Sequence, residues 1–201
     1  MAEFIEGFQF VADFNKKSVA VFGSSRFKED NPNYEKARRF SNLLAEEGFT
    51  VVTGGGPGIM EAINRGAYEK NGESIGINIQ LQEGERANSF MTRSIGFYYF
   101  FTRKVMLSFA SSGYVYFPGG FGTLDEFFEL VTLIQTKKLP LPVCVVAVGK
   151  DFWGPAFEWF KKDLCERYGT VSEEDLKIFQ LVDTPEEAVE IIKKSFNEKQ
   201  K

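Results

Sequence analysis

Three times in the first two thirds of the chain, a short apolar run breaks into glycines and resumes as a helical pattern. The stretches are "SVAVFGSS" from Ser18, "TVVTGGGPGIMEAI" from Thr50 and "YVYFPGGFGTLDEF" from Tyr114. Short runs rich in β-branched and aromatic residues suit strands, and the glycines permit a tight handover to a helix. Strands that alternate with helices of ten to fifteen residues imply a parallel sheet covered on both faces.

The rest of the chain continues the alternation. "NYEKARRFSNLLAEEG" reads as a helix stopped at Gly48, "ESIGINI" as a strand and "QLQEGERANSF" as a polar loop. "GFYYFFTRKVMLSFASSG" then gives a helix, "YVYFPGG" a strand and "FGTLDEFFELVTLIQTKK" another helix. "LPLPVCVVAVG" is a buried strand, and "DFWGPAFEWFKKDLCERYG" a helix interrupted near Pro155. The tail "KIFQLVDTPEEAVEIIKKSF" supplies a short strand and an amphipathic helix opened by Thr184-Pro185. Residues 1–15 form a leading segment. The expected fold is α/β: one domain over 1–201, a Rossmann-like doubly wound parallel sheet with helices on both faces. Ligands of such folds bind beyond the carboxyl ends of the strands.

Those ends carry "FGSS" (22–25), "TGGGPG" (53–58) and "PGGFGT" (118–123). Any one of these could be a tight turn and nothing more. Three on one edge of a sheet point to an anionic ligand, because bare backbone and helix N-termini together suit a phosphate. The spacing fits neither the dinucleotide fingerprint G-x-G-x-x-G nor a G-x-x-x-x-G-K-[ST] loop. A mononucleotide or sugar phosphate fits better than NAD or a triphosphate.

The chain contains no histidine among its 201 residues. That removes Ser-His-Asp and Cys-His nucleophilic mechanisms and the His-rich zinc sites of hydrolases. With only two separated cysteines, Cys144 and Cys165, a thiolate metal site is not expected either. Cys144 lies in an apolar run and reads as a buried, inert thiol. A net charge of −4 gives no sign of a nucleic-acid surface. "MAEFIEGFQF" lacks the basic region of a secretory signal, and no apolar stretch reaches bilayer length. The expectation is a cytoplasmic protein with no membrane association.

Chemistry is then left to carboxylates, Arg, Lys, Tyr, hydroxyls and backbone amides. In the helix after Pro118, Phe127, Leu130, Val131 and Ile134 form the apolar stripe, and Asp125 and Glu129 turn away from it. Glu126 falls on the flank of that stripe, where a cleft wall would be, on one face with Thr123. A capping box, with Thr123 as N-cap and Glu126 at N3, is the competing reading. Arg103 sits among Tyr99, Phe100, Met106 and Leu107, so it must meet an anion, form a structural salt bridge or reach past its neighbours to water. A carboxylate, a cation and a phosphate cradle without histidine suit N-glycosidic hydrolysis, whose oxocarbenium-like transition state calls for nearby negative charge.

"PGGFGTLDE" resembles the PGGxGTxxE signature of the LONELY GUY (LOG) family, long labelled as lysine decarboxylases. The similarity extends through "FGSSR", "GGGPGIMEAINRGA", "SIGINI", "TRK" and "VTLIQTKK". It implies a phosphoribohydrolase that splits a nucleoside 5′-monophosphate, AMP or a cytokinin nucleotide, into free base and ribose 5-phosphate. The catalytic pair it implies is Arg103 and Glu126. Substrate binding is implied for Gly119, Gly120, Gly122, Thr123 and Lys104, and for an upstream glutamate, Glu85 in preference to Glu83. Ser24 and the Gly54–Gly58 loop, Gly55 and Gly56 included, are expected to line the remaining cleft. "FFTRK" stands where plant members carry Met-His before the Arg-Lys pair.

No metal or organic cofactor is expected, and nothing resembles the pyridoxal phosphate site that a decarboxylase needs. The resemblance also implies a homodimer, with "FYYFF" (97–101) as a candidate interface. Molybdenum-cofactor carrier proteins look similar in fold and loops, so a non-catalytic nucleotide or cofactor carrier or sensor is the alternative.

Overall fold

The computed structural model describes residues 1–14, 17–79, 87–139 and 143–198. It contains one sheet of seven parallel strands: β1 (Ser18–Phe22), β2 (Thr50–Thr53), β3 (Ser74–Ile79), β4 (Arg93–Phe97), β5 (Gly113–Tyr116), β6 (Cys144–Val148) and β7 (Phe179–Val182). Their spatial order is β4-β3-β2-β1-β5-β6-β7, every pair parallel. The chain winds outward from β1 to β4, then returns to place β5 on the other side of β1. Loops leaving β1 and β5 therefore part in opposite directions, which opens a crevice at that point.

β1, β2, β5 and β6 are buried along their full lengths, as expected for strands covered on both faces. Alternate residues serve two cores. Val19, Val21, Val115 and Val146 meet Phe40, Ile63 and Ile192, from helices α2 (Pro32–Glu46), α3 (Ile59–Glu69) and α7 (Pro185–Glu198). Ala20, Phe22, Tyr114 and Ala147 meet Met106, Phe127 and Trp153 on the other side. Those belong to α4 (Phe100–Phe109), α5 (Phe121–Gln135) and α6 (Lys150–Trp159), and α1 (Ala2–Ala12) joins the same layer. Cys144 is buried, as its apolar surroundings imply.

Local signals set several boundaries. Gly48 has φ +75° and donates to Ala45 O at 3.0 Å, while Phe49 N–H reaches Leu44 O at 3.0 Å. That paired closure ends α2. At α7, Thr184 and Glu187 cap each other reciprocally: Thr184 N–H donates to Glu187 Oε2 at 3.0 Å and Glu187 N–H to Thr184 Oγ1 at 3.2 Å.

Three features go beyond the expectations or differ from them. First, the leading segment, for which no conformation is expected from the sequence, is helical, and Gly7 of α1 lies where a Cβ would press on Met106 and Phe97. Glu3 of α1 also accepts from Tyr98 N–H at 2.6 Å, tying α1 to the approach to α4. Second, the helix expected from Gly96 starts at Phe100, and Arg93–Phe97 instead pair with β3 as an edge strand. Third, Pro155 does not interrupt its helix. It lies on an exposed face within α6, one turn after the exposed Asp151, whose carbonyl it leaves without a helical donor. The helix widens to a π-helical segment only at Phe160–Arg167. Among the described residues, no helix is long and apolar enough to cross a membrane.

Tyr116, Phe127 and Trp153 form a buried aromatic knot beneath α5, and Trp153 Nε1 donates to Tyr116 O at 3.1 Å. Trp153→Ala is expected to cost about 3–5 kcal/mol, measured as the loss of unfolding free energy in urea.

Candidate functional site

A cleft of about 870 Å³ opens over the carboxyl ends of β1, β2, β3 and β5. Its floor is held together by backbone bonds between the glycine loops. Ser24 N–H donates to Pro118 O at 3.0 Å, and Ser24 O accepts from Ile59 N–H at 2.9 Å, so one residue links all three loops. Gly58 has φ +71°, and a Cβ there would collide with the Ser24 carbonyl. Ser24 lines the cleft.

Helix α5 begins at Phe121 with Gly120 as N-cap in extended conformation, and no side chain among the described residues caps it. The first helical bond runs from Leu124 N–H to Gly120 O at 3.1 Å. The N–H groups of Phe121, Gly122 and Thr123 thus precede the helical ladder at its positive end. Gly119 is excluded from carrying a Cβ by the buried Thr123 hydroxyl. Gly120 and Gly122 are different: a Cβ at either would meet none of the described residues within 4 Å. All four residues line the cleft. Because α5 starts at Phe121, Thr123 is its third residue and not its cap, so the capping-box reading of Thr123 and Glu126 fails.

Glu126 lies one turn along α5 and faces the cleft. Burial raises its pKa from the usual 4.5 to about 7, and the positive charge of Arg103 acts in the opposite direction. Tyr116 Oη donates to the Glu126 backbone carbonyl at 3.2 Å, fixing this turn of the helix over the aromatic knot.

Arg103 enters the cleft from α4. Its Nε donates to Ile77 O at 2.8 Å, at the end of β3. The guanidinium lies on Gly54, where a Cβ would collide with Nη2. Gly54 is therefore the residue of its loop that belongs to the site. Gly55 and Gly56 do not line the cleft and sit behind it. Gly55 N–H donates to Thr53 Oγ1 at 2.9 Å, and its carbonyl accepts from Asn88 N–H at 2.9 Å. Asn88 Nδ2 donates to Gly56 O at 3.0 Å and to Asn64 Oδ1 at 2.9 Å. Asn64 Nδ2 then donates to Ser74 Oγ at 2.8 Å. This buried relay holds the glycine loop against Arg103, and sequence reasoning missed it. A buried Asn among Ile63, Gly66 and Ala67 was the available signal.

Lys104 does not line the cleft. Its ammonium meets Asp125 at 2.8 Å and Glu129 at 3.1 Å, which joins the helix bearing Arg103 to the helix bearing Glu126. Glu85, expected to bind substrate, and its alternative Glu83 lie outside the described residues.

Residues 60–192 match the family described as "Possible lysine decarboxylase". The chain belongs to this family, that of the LOG proteins. A rice (Oryza sativa subsp. japonica) relative named "Probable cytokinin riboside 5'-monophosphate phosphoribohydrolase LOGL5" is 30% identical over 140 residues. The match covers 66% of this chain but only 54% of the rice protein. An uncharacterized protein of Archaeoglobus fulgidus is 30% identical over 108 residues, which is 54% of this chain and 69% of its own. Among solved structures, the molybdenum cofactor carrier protein of Chlamydomonas reinhardtii aligns with TM-score 0.69 at 19% identity, over 91% of this chain and 99% of its own. The molybdenum cofactor binding protein of Rippkaea orientalis aligns with TM-score 0.65 at 21% identity, over 90% and 98%. These two likenesses establish the LOG-type fold as Rossmann-like and say nothing of activity.

The raised pKa of Glu126 links the site to stability. Protonation is favoured in the folded state, so its stabilising effect is complete below about pH 4.5 and is lost as pH rises through about 7. Glu126→Gln is expected to be more stable than the parent at pH 8, by on the order of 2–3 kcal/mol, and no more stable at pH 4. Paired urea titrations at the two pH values measure the difference.

Proposed function

We propose that this LOG-family chain hydrolyses the N-glycosidic bond of nucleoside 5′-monophosphates, AMP or cytokinin-type nucleotides, to free base and ribose 5-phosphate. The observation that carries the reading is the uncapped start of α5 with Glu126 one turn beyond it and Arg103 facing the same cleft. The named activity of the rice relative supports it.

The 5′-phosphate is taken up by the N–H groups of Phe121, Gly122 and Thr123, with the Thr123 hydroxyl beside them. That places the ribose against Glu126. As the bond to the base breaks, positive charge grows at the anomeric carbon and ring oxygen, and an ionised Glu126 stabilises it. Water completes the hydrolysis by adding at the anomeric carbon, the departing base taking up a proton. Arg103 offsets the negative charge of the substrate and favours the ionised form of Glu126.

Exposed rings at Tyr98, Tyr99, Phe101 and Phe109, with Ile5 and Phe8 of α1, form an apolar surface outside the cleft. We assign it to a homodimer contact, and light scattering is expected to give twice the chain mass.

Purified protein incubated with AMP is expected to release adenine, followed by chromatography. Glu126→Gln should lose roughly 100-fold or more in kcat while still binding nucleotide. In the parent protein kcat/KM is expected to rise with pH and level off above about 7, because the ionised carboxylate of the free enzyme is the active form. Tight binding of nucleoside monophosphates without turnover would point instead to a carrier or sensor. A second expectation concerns Gly54→Ala, whose Cβ displaces the Arg103 guanidinium. It should lower kcat/KM about as much as Arg103→Ala while leaving the thermal midpoint nearly unchanged.

A further inference from the structure

The cleft has two distinct ends. At the β5 end lie the open amides of α5. At the other end, over β2 and β3, lie Gly54, Ile79, Met60 and Arg103, together with Phe100. In the sheet order β3-β2-β1-β5 these ends are three strand intervals apart, roughly 14 Å at about 4.8 Å per interval. That is close to the length of an extended nucleoside monophosphate. A ligand with its phosphate on α5 and its sugar at Glu126 therefore delivers its base to the β2–β3 end.

Phe100 is what meets it there. It is the first residue of α4, one turn before Arg103, so the two share a face of the helix. The ring lines the cleft and is 62% exposed. Its neighbours are otherwise engaged: Tyr98 packs on Tyr99, Tyr99 on Phe101, and Phe101 on Phe4 of α1. No ring contact involves Phe100 among the described residues. Phe121, also exposed and without a ring contact among the described residues, belongs to the turn that carries the open amides of α5, at the opposite end.

We propose that Phe100 is the base-recognition residue of this site. Its face stacks on a planar nucleobase whose phosphate is held at α5, so it separates nucleotides from other sugar phosphates. The inference rests on the nucleotide reading of the cleft given above. It assigns selectivity to ring stacking, which accepts any planar base, with Ile79 and Met60 as apolar flanks.

The test is calorimetric and needs no turnover. Two ligands are compared: ribose 5-phosphate, which lacks a base, and formycin 5′-monophosphate, whose carbon–carbon glycosidic bond resists hydrolysis. Phe100→Ala is expected to weaken formycin 5′-monophosphate about 5- to 100-fold and to leave ribose 5-phosphate within about twofold. Phe100→Trp, which keeps a stacking face, should retain nucleotide affinity. Equal loss for both ligands, or loss for neither, overturns the assignment. So does a selective loss in Phe121→Ala instead, or a change in molecular mass that tracks the loss of affinity in Phe100→Ala. If the parent protein binds neither ligand, the nucleotide reading itself fails. If it binds both and Phe100→Ala is indifferent, only the role of Phe100 fails.

Discussion

Ser24 spends both of its backbone groups on other loops, its N–H on Pro118 and its carbonyl on Ile59. Each bond is ordinary in strength, about 1 kcal/mol net, but their placement decides the geometry of the site. They fix the end of β1 to the turn after β5 and to the start of α3, across the point where the sheet reverses its direction of winding. Without them, the three glycine loops would be independent turns. With them, the loops form one floor, and the glycines at 54, 120 and 122 present bare main chain to a shared space.

The electrostatics of the cleft rest on that floor. Glu126 is placed where burial opposes its ionisation and Arg103 favours it, which leaves its pKa near neutrality. A carboxylate on an exposed helix face would stay ionised and be screened by water; a fully isolated buried one would stay protonated. The intermediate state depends on where the guanidinium is held. Ile77 O, the missing Cβ of Gly54, and the Asn64–Asn88 relay behind the loop together set that position. The site thus depends on buried amide side chains that never touch the cleft.

Much of this was legible before any coordinates, for identifiable reasons. Arg103 stands out because it interrupts an apolar helical stripe, which is costly without a partner, and Glu126 because it flanks such a stripe on one face with Thr123. β1, β2, β5 and β6 were plain because strands buried on both faces read as unbroken apolar runs. β4 was not, since an edge strand alternates and Gly96-Phe97 merges into an aromatic run that also suits a helix. The sequence assigns α1 no element because its weakly amphipathic pattern gains meaning only against Met106 and Phe97. The position of Lys104 is not legible from its neighbour: adjacent helix residues point about 100° apart, so the residue after a cleft arginine faces another helix. Choosing among Gly54, Gly55 and Gly56 required knowing where the guanidinium lies.

The carboxylate of Glu3 on the Tyr98 amide has a consequence at long range. Tyr98 lies two residues before Phe100 and five before Arg103, so the first turn of α1 braces the lead-in to the helix that supplies one wall of the cleft. Trimming α1, or attaching bulky sequence ahead of it, would disturb the placement of Phe100 and Arg103 far downstream in the sequence. The amino-terminal helix acts as a buttress for one wall of the cleft, not as decoration upon it.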